Sequence, residues 1–458
     1  MKKILVLGAG LVSRPLVRYL LKQPDFHVTV ATRTVSKAQA LIAGDKKGKA
    51  IQCLADDAAK MDRLVSEHDL AISLLPAPLH PVVAGLCVKH GKHMVTTSYV
   101  SPKMREFDAP AKKAGLMILN EIGVDPGLDH MSAMRIIDDV RSRGGQIISF
   151  KSYCGGLPAP EANDNPFGYK FSWSPRGVCT AGKNSALYLE NGKEVRIPGP
   201  DLFTCTQQMM VEGIGELVGY PNRDSLSYID VYGLKGIQTM FRGTLRYPGW
   251  CETLKKIVDL GLLDETPTTY PAGTTYAQYM ATFLKAPANG DLRKKLAKHL
   301  KIEAKSPILD RFEWLGLLSN EPISVTGKPT TPLDILANRM AEKMQYKPGE
   351  RDLLVLLHFF VARFPNGKEE EITSTMIDYG QPNGDSSMAR TVSLPAAVGT
   401  KLILTGAIKR PGVFIPVEKN VYKPVLDELA EMGIRCVEKS KPRSQGGCRP
   451  QGGCCCGR

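Results

Sequence analysis

The 458-residue chain is too long for one hydrophobic core and suits two or three domains. Its 43% hydrophobic and 23% charged residues are those of a globular protein, and no run of 18 or more apolar residues is present to cross a bilayer. The net charge of +14 suits anionic ligands, but no basic block interleaved with aromatics and no zinc-finger spacing argues for nucleic acid.

An apolar strand, Ile4–Leu7, begins almost at Met1, which leaves no room for a signal or transit peptide. It runs into Gly8-Ala9-Gly10-Leu11-Val12-Ser13, an amphipathic helical stretch, and a second strand, Val28–Ala31, ending at Thr32-Arg33-Thr34. This order is a dinucleotide fingerprint with serine in place of the third glycine. The tip of the second strand faces the adenosine ribose, where an acid would bind a free 2′-hydroxyl and an arginine accommodates a 2′-phosphate. With Arg33 there and Lys37 one turn on, the expected cofactor is NADP. Further strands at Ala50–Ala55, Asp69–Leu75, His93–Ser98 and Leu116–Glu121 alternate with helical patterns at Leu79–His90 and Pro102–Ala114. Repeated βα units of this kind imply an α/β fold, with a parallel sheet covered by helices on both faces and ligands beyond the carboxyl ends of its strands.

From Gln146 the chain becomes rich in strands and loops, and between Tyr247 and Gln345 it turns helical. Cys251–Leu262, Tyr276–Leu284, Asp291–Leu300, Asp310–Leu318 and Pro332–Met344 repeat apolar residues every three or four positions. Strands return at Leu353–Arg363 and Glu370–Tyr379, joined by an Asn366-Gly367 hairpin turn, and helices close the chain at Ala396–Thr405 and Val421–Met432. The expected division is 1–125 and a returning segment near 390–437 for the nucleotide, 126–246 with 346–389 as a mixed α/β domain, and 247–345 as a helical insert. Residues 438–458 would be a disordered tail, rich in cysteine and glycine from 444 onward.

Candidate chemistry lies in the loops. Val124-Asp125-Pro126-Gly127-Leu128-Asp129-His130 puts two carboxylates and an imidazole at the ligand edge of the sheet; Asp129 reads as the N-cap of a helix opening at His130. Ser152–Glu161 reads as a rigid loop carrying Cys154, a weak acid–base group or a small packing residue. Arg223, Arg242 and Arg246 lie in apparently polar loops and suit carboxylates, with surface salt-bridging as the alternative for Arg242. No metal-ligand cluster, Ser/His/Asp pattern or P-loop is found in the sequence.

Taken in order, GAGLVSRP, VATRT, HDLAISLLP, VTTSYVSP, NEIGVDPGLDH, SYCGGLPAPEANDNPFGYKFSWSPRG, YPNRDS and FRGTLRYPG make the chain resemble the NADP-dependent, glutamate-forming saccharopine dehydrogenases over residues 1–437. The resemblance implies a variant Rossmann domain, a mixed α/β domain for substrate and dimerisation, and an inserted α-helical domain. It implies interconversion of saccharopine, water and NADP⁺ with L-glutamate, 2-aminoadipate 6-semialdehyde and NADPH in lysine metabolism. Cofactor binding would fall to Gly8, Gly10, Leu11, Val12, Thr32, Arg33, Thr34, Thr97, Val100, Val124, Pro126, Gly127, Asp129 and His130, with Trp173 and Ser174 closing over it. Substrate would meet Ser98, Tyr99, Asp125, Arg223, Thr244, Leu245 and Arg246, and proton transfer would use Asp125, Tyr99 or Cys154. Since the cofactor carries the hydride chemistry, single substitutions of those three should be less damaging than loss of a nucleophile. A homodimer is implied as well. Reduction of another amino-acid-derived imine, such as a carboxynorspermidine-like one, and a non-catalytic NADPH-binding scaffold are the alternatives. Seven scattered cysteines without a CxxC among them fit a reducing, cytoplasmic compartment.

Overall fold

Ile4, Leu5, Val6 and Leu7 are all buried, as a strand covered on both faces requires. In the computed structural model, which describes residues 1–325 and 327–443, they belong to β1 (Lys2–Leu7), an interior strand of a seven-stranded parallel sheet. With β2 (Phe26–Thr32), β3 (Gly48–Gln52), β4 (Leu70–Ser73), β5 (His93–Thr96) and β6 (Met117–Leu119), the order runs β6-β5-β4-β1-β2-β3. The late strand Gly412–Phe414 adds in parallel beside β6. The sheet is doubly wound, and its strand order reverses between β1 and β4, where ligands bind in such folds. The turn after β1 leads into helix α1 (Ser13–Lys22), which packs on the long C-terminal helix Ser387–Leu404.

The second domain is a nine-stranded mixed sheet. Its central strand Gln146–Pro158 pairs in parallel with Thr239–Arg246 and antiparallel with Asp352–Arg363. Two stretches read as loops are therefore strands. Ser152–Pro158 looked like a loop because of Gly155 and Gly156, but their lack of a side chain serves packing. A Cβ on Gly155 would lie 2.7 Å from Leu245 Cβ, and one on Gly156 would lie 2.2 Å from Met388 Cε. Phe241–Arg246, taken for a polar loop, is the partner strand. The strand Val437–Pro442, of which Glu438–Pro442 had been assigned to the tail, pairs with Glu370–Thr375 and extends the sheet. The cysteine-rich stretch 444–458 lies outside the described residues.

Helices Trp250–Asp259, Tyr276–Leu284, Leu292–Leu300, Pro307–Trp314 and Pro332–Lys343 form the insert around a core that includes Trp250, Tyr279, Phe312 and Leu336. The helix expected at Asp310 starts at Pro307, because Ser306 caps it and proline suits the first turn. The helix expected at Ala396 starts at Ser387 and carries Pro395 in its interior. Among the described residues, no helix is long and apolar enough to cross a membrane.

Burial pushes the imidazoles of His80 and His358 down to about 4. Both are neutral in the folded chain near pH 6, whereas the unfolded chain protonates them near 6.5. The unfolded state thus takes up protons first on acidification, and each histidine withdraws about 3 kcal/mol of stability between pH 6.5 and 4. Urea midpoints are expected to decline through that window, and a His358→Phe variant should decline less. A midpoint unchanged down to pH 4 would contradict this.

Candidate active site

A cleft of about 730 Å³ opens at the carboxyl ends of β1, β2 and β3, lined by Gly8, Gly10, Thr32, Arg33, Thr34, Lys37, Leu54 and Asp56, among others. Gly8 has φ +111°, and a Cβ on it would lie 2.9 Å from the Leu74 carbonyl oxygen, so both conformation and space demand glycine. A Cβ on Gly10 would meet nothing within 4 Å, so its absence leaves room for a ligand to approach the backbone. Ser13 replaces the third glycine by closing the turn: its Oγ accepts the Gly10 N–H at 3.0 Å, and its own N–H donates to the Gly10 carbonyl at 3.2 Å. Arg33 and Lys37 are exposed at the end of β2, and neither forms an ion pair among the described residues. A glycine cradle with two uncommitted cations at its far end fits a dinucleotide bearing an extra phosphate.

The carboxyl end of β5 leads to a second feature, a buried polar cluster between the two sheets. Arg242, 3% exposed, reaches from the strand Thr239–Arg246 to Asp125 and, at 2.8 Å, to Asp129. It also donates to Tyr99 Oη at 3.3 Å, and Tyr99 donates to Asp125 Oδ1 at 3.1 Å. The Arg242 guanidinium lies 4.7 Å from the Tyr228 ring centre and 5.7 Å from that of Tyr99. Arg242 is therefore a buried ion-pair centre and not a surface charge. A guanidinium there is tolerable only with carboxylates beside it.

The two carboxylates respond differently to burial. Burial opposes ionisation of Asp129, but the His130 and Arg242 side chains beside it and the N–H of Gly127, which its Oδ1 accepts at 2.6 Å along with that of His130 at 2.8 Å, hold its carboxyl below the usual range. Asp125 lacks such donors; burial, reinforced by Asp129, pushes its carboxyl up in spite of Arg242. Carboxylates pushed apart in this way divide their roles, Asp129 staying charged and Asp125 taking the proton. Burial also raises the Tyr99 phenol and the Cys154 thiol well above their ordinary values.

On the same strand, Arg246 is 6% exposed and has no carboxylate partner among the described residues. Its Nη1 donates to the Leu245 carbonyl at 2.7 Å, its Nε has no partner, and its guanidinium lies 4.9 Å from the Tyr169 ring centre and 5.5 Å from that of Trp250. Thr244 lies between the two arginines on that face and sits opposite Cys154 in the neighbouring strand. Arg223 is exposed at the rim, in the left-handed region at φ +53°, with its guanidinium 5.4 Å from the Tyr99 ring centre. Tyr99, Glu121, Arg223 and Arg242 line one cleft of about 640 Å³.

Other expected site residues are buried, cap helices or lie beside the clefts. Val124, Pro126, Gly127, Asp129 and His130 are buried, so the 124–130 loop turns most of its side chains into the core. His130 is 0% exposed, with Nε2 on Glu121 at 2.9 Å and Nδ1 on Tyr232 at 2.5 Å, so neither nitrogen is open to a ligand. Asp129 is not an N-cap, because the helix Leu128–Ser142 already contains it. The Leu245 side chain faces Gly155 in the second core. The Ser174 hydroxyl caps helix Pro175–Ala181 by accepting the Gly177 N–H at 3.1 Å. Val12 is the N-cap residue of α1. Leu11, 66% exposed, and Trp173 line a further cleft of about 530 Å³. Thr97, Ser98, Tyr99 and Val100 are half-buried past β5. Residue patterns did not reveal Glu121, whose carboxylate accepts the Val100 N–H at 2.9 Å and the Tyr228 hydroxyl at 3.0 Å; its signal was a charge just past an apolar strand, after Asn120.

Comparison with known proteins agrees with this architecture. Family models for the "Saccharopine dehydrogenase NADP binding domain" and the "Saccharopine dehydrogenase C-terminal domain" match residues 4–119 and 123–434. Saccharopine dehydrogenase [NADP(+), L-glutamate-forming] of Schizosaccharomyces pombe is 45% identical over 449 residues, covering 96% of this chain and 99% of that one. The mitochondrial alpha-aminoadipic semialdehyde synthase of Bos taurus is 38% identical, and the match spans 48% of its length. The apo structure of the L-Glu-forming saccharopine dehydrogenase from Saccharomyces cerevisiae superposes with a TM-score of 0.86 at 39% identity, covering 96% of this chain and 100% of that one.

Proposed function

The chain belongs to the saccharopine dehydrogenase family, and from that premise we propose that it interconverts saccharopine, water and NADP⁺ with L-glutamate, 2-aminoadipate 6-semialdehyde and NADPH. The observation that carries this assignment is Arg246: a buried guanidinium without a carboxylate partner among the described residues, on the same strand as Arg242, calls for an acidic substrate. Saccharopine offers three carboxylates around a secondary amine.

When bound, the nicotinamide cofactor supplies the hydride acceptor or donor. Gly8, Gly10 and the α1 N-terminus hold its pyrophosphate, while Arg33 and Lys37 take its 2′-phosphate. The chain's own task is to hold the amine carbon in place and to move protons. Asp125, with its raised pKa, accepts the amine proton and returns it during attack of water on the imine. Tyr99 fixes the reacting oxygen through its 3.1 Å bond, and Arg242 keeps both in register. The Cys154 thiol stays protonated and serves as a donor rather than a base. Arg246 and Arg223 bind carboxylates, Arg246 in the interior and Arg223 at the rim. The same assignment includes a homodimer and a cytoplasmic location, the first checked by light scattering.

Because Arg223 is exposed, its loss should matter less than that of a buried partner. Arg223→Ala is expected to raise KM for saccharopine by about tenfold, the worth of a charge-assisted hydrogen bond at an accessible site. An unchanged KM would place the side chain outside the substrate site. The test of the assignment itself is NADPH absorbance with saccharopine, supplying NADP⁺ or NAD⁺ in parallel. NADPH formation with glutamate in step supports it; a flat trace from folded protein that binds NADPH moves the substrate to another imine.

A further inference from the structure

Ser98 is held from behind by a residue that the proposed chemistry does not use. His80 opens the helix His80–His90 directly after Leu79, a lining residue of the dinucleotide cleft. Its ring is 2% exposed, with Nδ1 2.8 Å from Ser73 Oγ and Nε2 2.8 Å from Ser98 Oγ. The backbone of Ser98 is fixed independently: its N–H donates to Thr96 Oγ1 at 3.4 Å and its carbonyl accepts the Glu121 N–H at 3.1 Å. Thr96 Oγ1 in turn donates to the Ser73 carbonyl at 2.9 Å. The strands are thus already tied together without the imidazole, whose two nitrogens act only on two hydroxyl groups. A hydroxyl has one proton and two lone pairs, and a neutral imidazole one N–H and one bare nitrogen. Whichever nitrogen carries the proton, the bond to His80 fixes the Ser98 rotor and decides what the hydroxyl presents to a ligand.

We propose that His80 is a positioning residue that sets the orientation and donor–acceptor sense of the Ser98 hydroxyl, which stands past the carboxyl end of β5 beside the cleft residue Tyr99, toward the reacting end of the bound ligands, resting on the assignment of that edge of the sheet to NADP and saccharopine. It requires that His80 act through Ser98. Asparagine places its amide near the imidazole Nδ1, which keeps the Ser73 bond and loses the one to Ser98. Glutamine reaches the Nε2 position.

The experiment is a cycle of His80→Asn, His80→Gln, Ser98→Ala and the His80→Asn/Ser98→Ala double variant, with thermal melting to establish folding. His80→Asn is expected to lower kcat/KM for saccharopine by about tenfold, the worth of one hydrogen bond. His80→Gln should recover most of the loss, and the double variant should be no worse than Ser98→Ala. Losses that multiply in the double variant, a His80→Asn variant with wild-type kcat/KM, or equal losses in both His80 variants would overturn the proposal. If wild-type protein fails to turn over saccharopine, the substrate assignment falls. The same cycle is then read on the NADPH dissociation constant by fluorescence: non-additive effects support the positioning role, while additive or absent effects overturn it.

Discussion

Arg33→Asp is expected to raise KM for NADP⁺ by roughly a hundredfold while lowering that for NAD⁺, inverting the cofactor preference. A guanidinium–phosphate contact contributes about 1.5–3 kcal/mol, which is roughly 10- to 150-fold in affinity. Arg33 is at the end of β2, exposed and without a counter-charge among the described residues, none of which competes for that contact or is orphaned by its removal. An aspartate at this position adds repulsion toward the phosphate and a hydrogen bond to a free 2′-hydroxyl. Arg33→Ala keeps Lys37 and should only narrow the preference, by about tenfold. Since exposed charges are screened, KM of the wild type for NADP⁺ should also rise with salt more steeply than that of Arg33→Ala. Equal ratios of kcat/KM for the two cofactors in wild type and variant would remove Arg33 from the phosphate site.

That residue was legible because its meaning is local: a strand, a glycine turn, a helix and the tip of the next strand fix where the side chain stands. The alternation of strands and helices through residue 121 and the apolar spacing of the insert were legible for the same reason, as was the hairpin of Asp352–Arg363 and Glu369–Tyr379. What failed to show depended on partners distant in sequence. Arg242 meets Asp125 and Asp129 across separations of 117 and 113 residues, so its charge read as solvent-facing. Gly155 and Gly156 read as loop because the side chains that require them come from Leu245 and Met388. His130 read as a ligand contact, since only the fold brings Glu121 and Tyr232 to its two nitrogens. The helix expected to begin at Ala396 begins at Ser387, because tertiary packing carries it past Pro395. Motif and spacing thus locate the site, while burial and partner decide which of its charged groups are free for ligands.

Arg246 is where that distinction has its largest consequence. Arg246→Met is expected to shift stability and substrate binding in opposite directions. In the free protein its guanidinium is buried without a carboxylate among the described residues, bonded to one backbone carbonyl and flanked by Tyr169 and Trp250. Holding a charge there costs desolvation that ring contacts and one hydrogen bond only partly offset. An apolar side chain of similar length removes that cost, and the free variant should be more stable by about 1–2 kcal/mol. Binding should suffer heavily, because a substrate carboxylate entering that site loses its counter-charge. A loss of roughly 2–5 kcal/mol, about 30- to several-thousand-fold in KM for saccharopine, is expected, with KM for NADP⁺ nearly unchanged. Two melting curves separate the effects. Free variant should melt above free wild type, and saturating saccharopine should raise the melting temperature of wild type only. A variant that melts lower yet binds saccharopine normally would make Arg246 a structural group held by its aromatic walls, and the substrate carboxylates would then need another cation.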